Sequence, residues 1–303
     1  MKKYIFTAFA AIALLASSCV NLDLYPLSEG SSENWYSNEQ EVTLALNALY
    51  ARAMWNNETT RLFNTDRFTD DWSQRTQLYD WVGGTIDSST SSVATEWSND
   101  YKGIARANTI LYSMNKATDM TPALVEQYTG EAKFFRACFY SYLITLFGDV
   151  PYYDDYITLE QAYEMGRVDR KVILEHIYQD FDDAAAALPL SYTGTKRVTK
   201  GAALAMKART ALWMNDWKTC AKASKDCMDL GIYELHPDYG EFFKSSTKTS
   251  KELIFALPAS NDLGVHSYAE AATRSFYPRL NGGTSVAQPS WGLLLAFPCR
   301  SEE

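Results

Sequence analysis

EAKFFRACFYSYLITLFGDVPYY, residues 131–153, runs an aromatic-rich helical pattern into an abrupt stop. Just upstream, Thr121-Pro122 supplies an N-cap and a proline at the first helical position. Tyr128, Ala132, Phe135, Phe139, Tyr142 and Leu146 then recur every three or four residues, which predicts one apolar face. Gly148 can adopt the left-handed conformation that ends a helix, and Pro151 prevents its resumption. Lys133 and Arg136 project from other faces, with Glu131 nearby. The stretch therefore reads as a packing element whose sharp end positions the next loop, rather than as a binding surface.

The flanking sequence extends this pattern. Val42, Leu46, Leu49 and Ala53 predict a helix over 39–56, and Trp97, Tyr101, Ile104, Asn108 and Leu111 predict another over about 96–116. Asp169 caps a helix running through Val172, Ile173, Ile177, Phe181, Ala184 and Leu188 to Pro189. Thr199 precedes a helix from Gly201 to Asn215, and Asp216 starts one that ends at Gly231. In that last pair, Ala205, Ala208, Trp213, Ala221 and Ala223 resemble a tetratricopeptide hairpin, where small residues admit close approach and an aromatic fills the next gap. Residues 57–94 carry Asp, Thr, Ser and a Gly pair, and read as long loops with short irregular elements. ELIFAL at 252–257 reads as one short strand, and the chain beyond it is loop-like. The fold class is thus mainly α, with tetratricopeptide-like hairpins, long irregular loops and few short strands.

Bulk composition narrows the function. A net charge of −9 argues against nucleic acid, whose affinity comes from basic residues on phosphates. Apolar residues at 47% provide for a substantial core. Aromatics at 14% are plentiful enough to serve both that core and stacking platforms for sugar rings.

Met1-Lys2-Lys3 followed by apolar Tyr4 to Ala16 forms a signal-peptide pattern too short to span a membrane. Leu15-Ala16-Ser17-Ser18-Cys19 resembles a bacterial lipobox, which predicts a signal peptide over 1–18 and lipidation of Cys19. The mature domain is then 19–303, held at a membrane surface by its lipid. Cys138, Cys220, Cys227 and Cys299 form no CxxC, and read as small apolar side chains. His176, His236 and His266 are scattered, with no HExxH, so no metal and no histidine-based catalysis is expected. No phosphate-cradling glycine loop is present, and no cofactor is expected.

Several motifs together resemble the SusD/RagB family of outer-membrane nutrient-binding lipoproteins. They are Cys19–Pro26 (CVNLDLYP), Trp97–Asn108 (WSNDYKGIARAN), the 131–151 stretch, Val198–Arg209 (VTKGAALAMKAR), a following Trp and Gly231–Leu235, in the family's order. The resemblance implies a helical fold whose long loops carry the ligand site. It also implies capture of an oligosaccharide and its delivery to a SusC-like TonB-dependent transporter, with no catalysis on the sugar. The expected location is the outer membrane, lipid-anchored and facing the exterior. Family members continue to an Asp-Gly pair a few residues after a phenylalanine. Trp291–Phe297 resembles the approach to that motif but no Asp-Gly follows, so the chain is expected to be an N-terminal part.

Two clusters offer flat aromatic faces beside planar polar groups. The first is Trp72, Trp81, Asp70, Asp71 and Arg75; the second is Arg274, Tyr277 and Trp291. The plainer reading of any single tryptophan is core packing. Trp97, Tyr101, Asn108, Glu131, Arg136 and Asp149 are expected to be structural. A protein-binding helical scaffold is the alternative function. A glycosidase is a further one, but Asp70-Asp71, Asp154-Asp155 and Asp182-Asp183 are adjacent pairs whose side chains do not naturally converge.

Overall fold

The computed structural model describes residues 36–52, 72–74, 84–194, 196–256, 279–283 and 287–296. Residues 1–35, with the predicted signal peptide and Cys19, lie outside these, as does Cys299. The described chain is helical: α1 (Glu39–Arg52), α2 (Ser91–Ser113), α3 (Pro122–Phe147), α4 (Leu159–Glu164), α5 (Arg170–Ala187), α6 (Lys200–Trp213), α7 (Trp217–Met228), α8 (Tyr239–Phe242) and α9 (Trp291–Ala296). Short strands β1 (Trp72–Gln74) and β2 (Ala287–Pro289) form one antiparallel pair. No described helix is long and apolar enough to cross a membrane.

The caps explain the helix starts. The side chains of Thr121, Asp169, Thr199 and Asp216 each accept a hydrogen bond from a backbone N–H in the first turn of α3, α5, α6 and α7. Thr158 and Gln161 close a reciprocal capping box on α4. Asn215, at φ 59°, makes the tight turn between α6 and α7.

Helix α3 is the hub. It packs on α2 and α5 most extensively, and also on α1 and α6, while α5–α6 and α6–α7 continue the series of neighbours. The expected single face is therefore too narrow a description. Phe134, Ala137, Cys138, Tyr140, Leu143 and Ile144 are buried along with Tyr128, Ala132, Phe135 and Phe139. A helix surrounded by neighbours is apolar nearly all round. Leu146, expected on the core face, is 44% exposed because it lies in the last turn, beyond the tightest packing. Val172 is likewise exposed, in the first turn of α5. Ala208 and Ala223 are buried in the α6–α7 hairpin region, whereas Ala221 faces solvent.

The stop after α3 becomes a fastened strap. Gly148 takes φ 71° and its N–H bonds to Ile144 O. The Asp149 carboxylate accepts from Arg170 N, and its carbonyl accepts from the Arg167 guanidinium. Val150 bridges Val168. Tyr101 Oη donates to Pro151 O at 2.7 Å. Tyr152 stacks on His176, with ring centroids 4.6 Å apart. Tyr153 O accepts from both Asn108 Nδ2 and Tyr140 Oη. Arg136 then donates to Asp154 O at 2.7 Å. The Trp97–Asn108 motif thus clasps the strap through Tyr101 and Asn108, while Trp97 meets Phe147 edge-on at 5.1 Å.

Two buried ion pairs lock the helices. Arg136 makes a bidentate contact with Asp180 of α5, both bonds at 2.7 Å, and also reaches Asn108 of α2. Arg197 grips Glu131 of α3 at 2.6 and 3.0 Å. Residues 252–256 form no strand, which corrects that expectation. Leu253 N bonds back to Ser250 O in a turn, and Phe255 packs toward Tyr50 and Phe134. With no described strand beside this segment, Ile254 and Phe255 are partly buried by docking on the helical core rather than by sheet formation, while Leu253 stays exposed.

Candidate functional site

Trp72 begins β1, and β1 pairs with β2 in the register Trp72–Pro289, Ser73–Gln288 and Gln74–Ala287. The pairing joins the segment that holds Trp72 to the one that leads into Trp291. Two residues after Pro289, Trp291 opens α9, where Ser290 Oγ accepts from Leu293 N at 3.1 Å. Trp291 is 78% exposed, and Leu295, one turn on, is 80% exposed. An indole displayed this openly has a face free for stacking on a flat apolar partner. The exposed Trp291 thus follows directly on the strand that pairs with β1.

Of the other expected ligand-binding residues, Asp70, Asp71, Arg75, Trp81, Arg274 and Tyr277 lie outside the described residues. The ribbon itself was not foreseen. Its only sequence signal was a pair of polar segments with Trp near each, since three-residue strands carry no readable alternation.

Asp182 and Asp183 do not form a reacting pair. Asp182 bonds Lys207 of α6, while Asp183 bonds Lys133 of α3, so the two carboxylates are drawn to different helices. Asp155 accepts from the N–H of Tyr156. Among the described residues no group of three His, Cys, Asp or Glu side chains could hold a metal ion. Cys138 and Cys227 are buried, and burial raises both thiol pKa values. Cys220 is only half-buried. The clasping tyrosines keep their protons: burial pushes Tyr153 up to about 12 and raises Tyr140 and Tyr101 further, and the hydroxyls of Tyr140 and Tyr101 act as donors.

Residues 22–212 match the SusD-like family described as starch-binding and associating with the outer membrane. The chain belongs to the SusD-like family. It is 24% identical over 277 residues to SusD-like protein P25 of Formosa agariphila, covering 86% of this chain and 51% of that relative. A SusD-like carbohydrate-binding protein of Bacteroides fragilis superposes with a TM-score of 0.71 at 25% identity, over 84% of this chain and 52% of the other. Surface glycan-binding protein A of Bacteroides fluxus shares the fold at a TM-score of 0.63 and 23% identity, over 73% of this SusD-like chain and 51% of its own. The chain spans about half the length of the curated relatives it matches. Trp72 falls inside the family match, whereas β2 and Trp291 lie beyond its end at residue 212.

Proposed function

We propose that this chain is a glycan-capture module of a cell-surface lipoprotein, with no catalytic step of its own. The observation that carries the reading is the β1–β2 ribbon, which sets the Trp72 segment beside the exposed Trp291 within a SusD-like chain. Aromatic faces suit the C–H side of a sugar ring, and the neighbouring polar residues suit its hydroxyls. Asp70, Arg75, Trp81, Arg274 and Tyr277 complete the proposed platform. Relatives described as starch-binding and laminarin-binding make neutral glucan oligosaccharides the first ligands to test. Lipidation at Cys19 would hold the domain, residues 19–303, on the outer face of the outer membrane. Delivery to a SusC-like TonB-dependent transporter is the further step of this reading.

The test is calorimetric titration of the purified chain with α- and β-linked glucan oligosaccharides. Binding that falls at least about tenfold in a Trp72→Ala/Trp291→Ala variant supports the platform, since stacking contacts carry roughly 1–3 kcal/mol each by truncation. Undiminished affinity in that variant rejects it. Release of reducing ends during the titration would favour the glycosidase, and a co-purifying protein with no glycan response would favour the scaffold.

A further inference from the structure

A cavity, away from the ribbon in sequence, lies where residues 190–192 and 196–199 meet 232–233 and 248–256. Its volume is about 590 Å³, within the range of small-molecule sites and far larger than one bare ion requires. Its charge runs against that of the chain. Acidic residues outnumber basic ones 37 to 28 overall, yet Lys196, Arg197, Lys248 and Lys251 line this cavity and no carboxylate does.

Not all of that charge is spent. Arg197 is neutralised by Glu131, and Lys251 by Glu234 at 3.1 Å. Lys196 donates only to the carbonyl of Lys248, at 3.3 Å, and among the described residues neither Lys196 nor Lys248 forms an ion pair. The Lys196 ammonium therefore sits at the backbone of Lys248, and both lysines are exposed, line the cavity and carry a charge that no carboxylate among the described residues pairs with. Tyr192, on the same wall, has a buried hydroxyl with no hydrogen-bond partner. Such an orphan costs free energy that a bound acceptor would recover. Burial, with the Glu131 charge adding and Arg197 opposing, holds its proton in place, so it can donate. Phe255 supplies apolar wall.

We infer that this cavity binds an anionic sugar residue, with the Lys196 and Lys248 ammonium groups on its carboxylate or sulfate and Tyr192 donating to a ring substituent. The anion follows from the uncompensated lysines; the sugar rests on the carbohydrate-capture reading above. Uronates and sulfate esters share this chemistry.

The test titrates the purified chain with tetragalacturonate, a sulfated tetrasaccharide, a neutral tetrasaccharide and sodium sulfate, at low and high salt. Binding of either anionic tetrasaccharide is expected, weakening at high salt and falling roughly tenfold in a Lys196→Gln/Lys248→Gln variant whose melting temperature is unchanged. Response to only one of the two tells which anion the cavity takes. Tyr192→Phe is expected to weaken binding several-fold. The Trp72→Ala/Trp291→Ala variant should leave anionic binding intact, which separates this site from the neutral-glycan platform. The inference is overturned if neither anionic sugar binds, if the lysine variant binds as tightly as wild type, or if sodium sulfate alone matches the tetrasaccharides.

Discussion

Arg136 shows how much one side chain can decide. Four hydrogen bonds from its guanidinium serve Asp180, Asn108 and the Asp154 carbonyl, so one residue of α3 ties α5, α2 and the strap together. Arg136→Ala would strand the Asp180 carboxylate in a buried site. Removing one partner of a buried pair costs about 3–5 kcal/mol. Urea unfolding of the variant should show that loss as a lowered midpoint. Arg136→Lys keeps the charge but cannot reproduce the planar bidentate grip, so it should fall between the two. A loss under about 1 kcal/mol for Arg136→Ala would mean that water replaces the guanidinium and that the network is not a lock. The sequence marked Arg136 as structural, yet placed it off the core face; only the arrangement of three neighbours reveals that it is buried.

At the scale of elements, the close contact of α2 with α3 turns on Gly103. A Cβ placed there would lie 2.5 Å from the Phe139 ring. Alanine ordinarily stabilises a helix interior over glycine by roughly 1 kcal/mol. Here overpacking should reverse the sign, costing about 1–3 kcal/mol, and Gly103→Ala should lower the thermal midpoint. Adding Phe139→Leu should recover part of the loss, because the smaller side chain vacates the contested space. If Gly103→Ala raises the midpoint, the ring moves aside freely and the contact is loose. These helices were legible because their starts rest on local chemistry: Thr121, Asp169, Thr199 and Asp216 cap where they stand in sequence. What eluded sequence reasoning depends on distant partners. The all-round burial of α3 needs knowledge of its neighbours. The β1–β2 register needs two segments from opposite ends of the chain. The 252–256 turn looks like a strand until Phe255 is seen to dock on helices. The candidate platform was legible only as two aromatic clusters, and their pairing was not.

Across the whole molecule, several carboxylates are held ionised by the fold, and this sets its response to acid. Asp183 is typical: burial raises its pKa, but bonds from Lys133 and Gln179 outweigh that and hold it below 3.8. Asp216 is lowered by its bonds from Thr219, with burial opposing and Tyr178 assisting. For Glu41, burial is outweighed by bonds from Ser37 and Asn38. A folded pKa below the unfolded one gives stability that is fully present above the unfolded value and lost as pH falls through the folded value. Glu131 runs the other way, since burial raises its pKa against the opposing Arg197, so its contribution shrinks as pH rises above 4.5. A bare pH–stability curve therefore mixes two signs, and a difference between variants separates them. Asp183→Asn removes one of the α3–α5 ion pairs, at a partly exposed site where such a pair is worth roughly 0.5–1 kcal/mol. The gap between wild type and Asp183→Asn, read from urea midpoints, should be full at pH 6. It should begin to close as pH drops below 3.8 and vanish once pH has passed below the lowered native value, where the wild-type carboxyl is protonated in both states. A gap that stays constant from pH 6 to pH 3 would mean that the substitution acts through packing, and that the Lys133–Asp183 charge does not hold these two helices together.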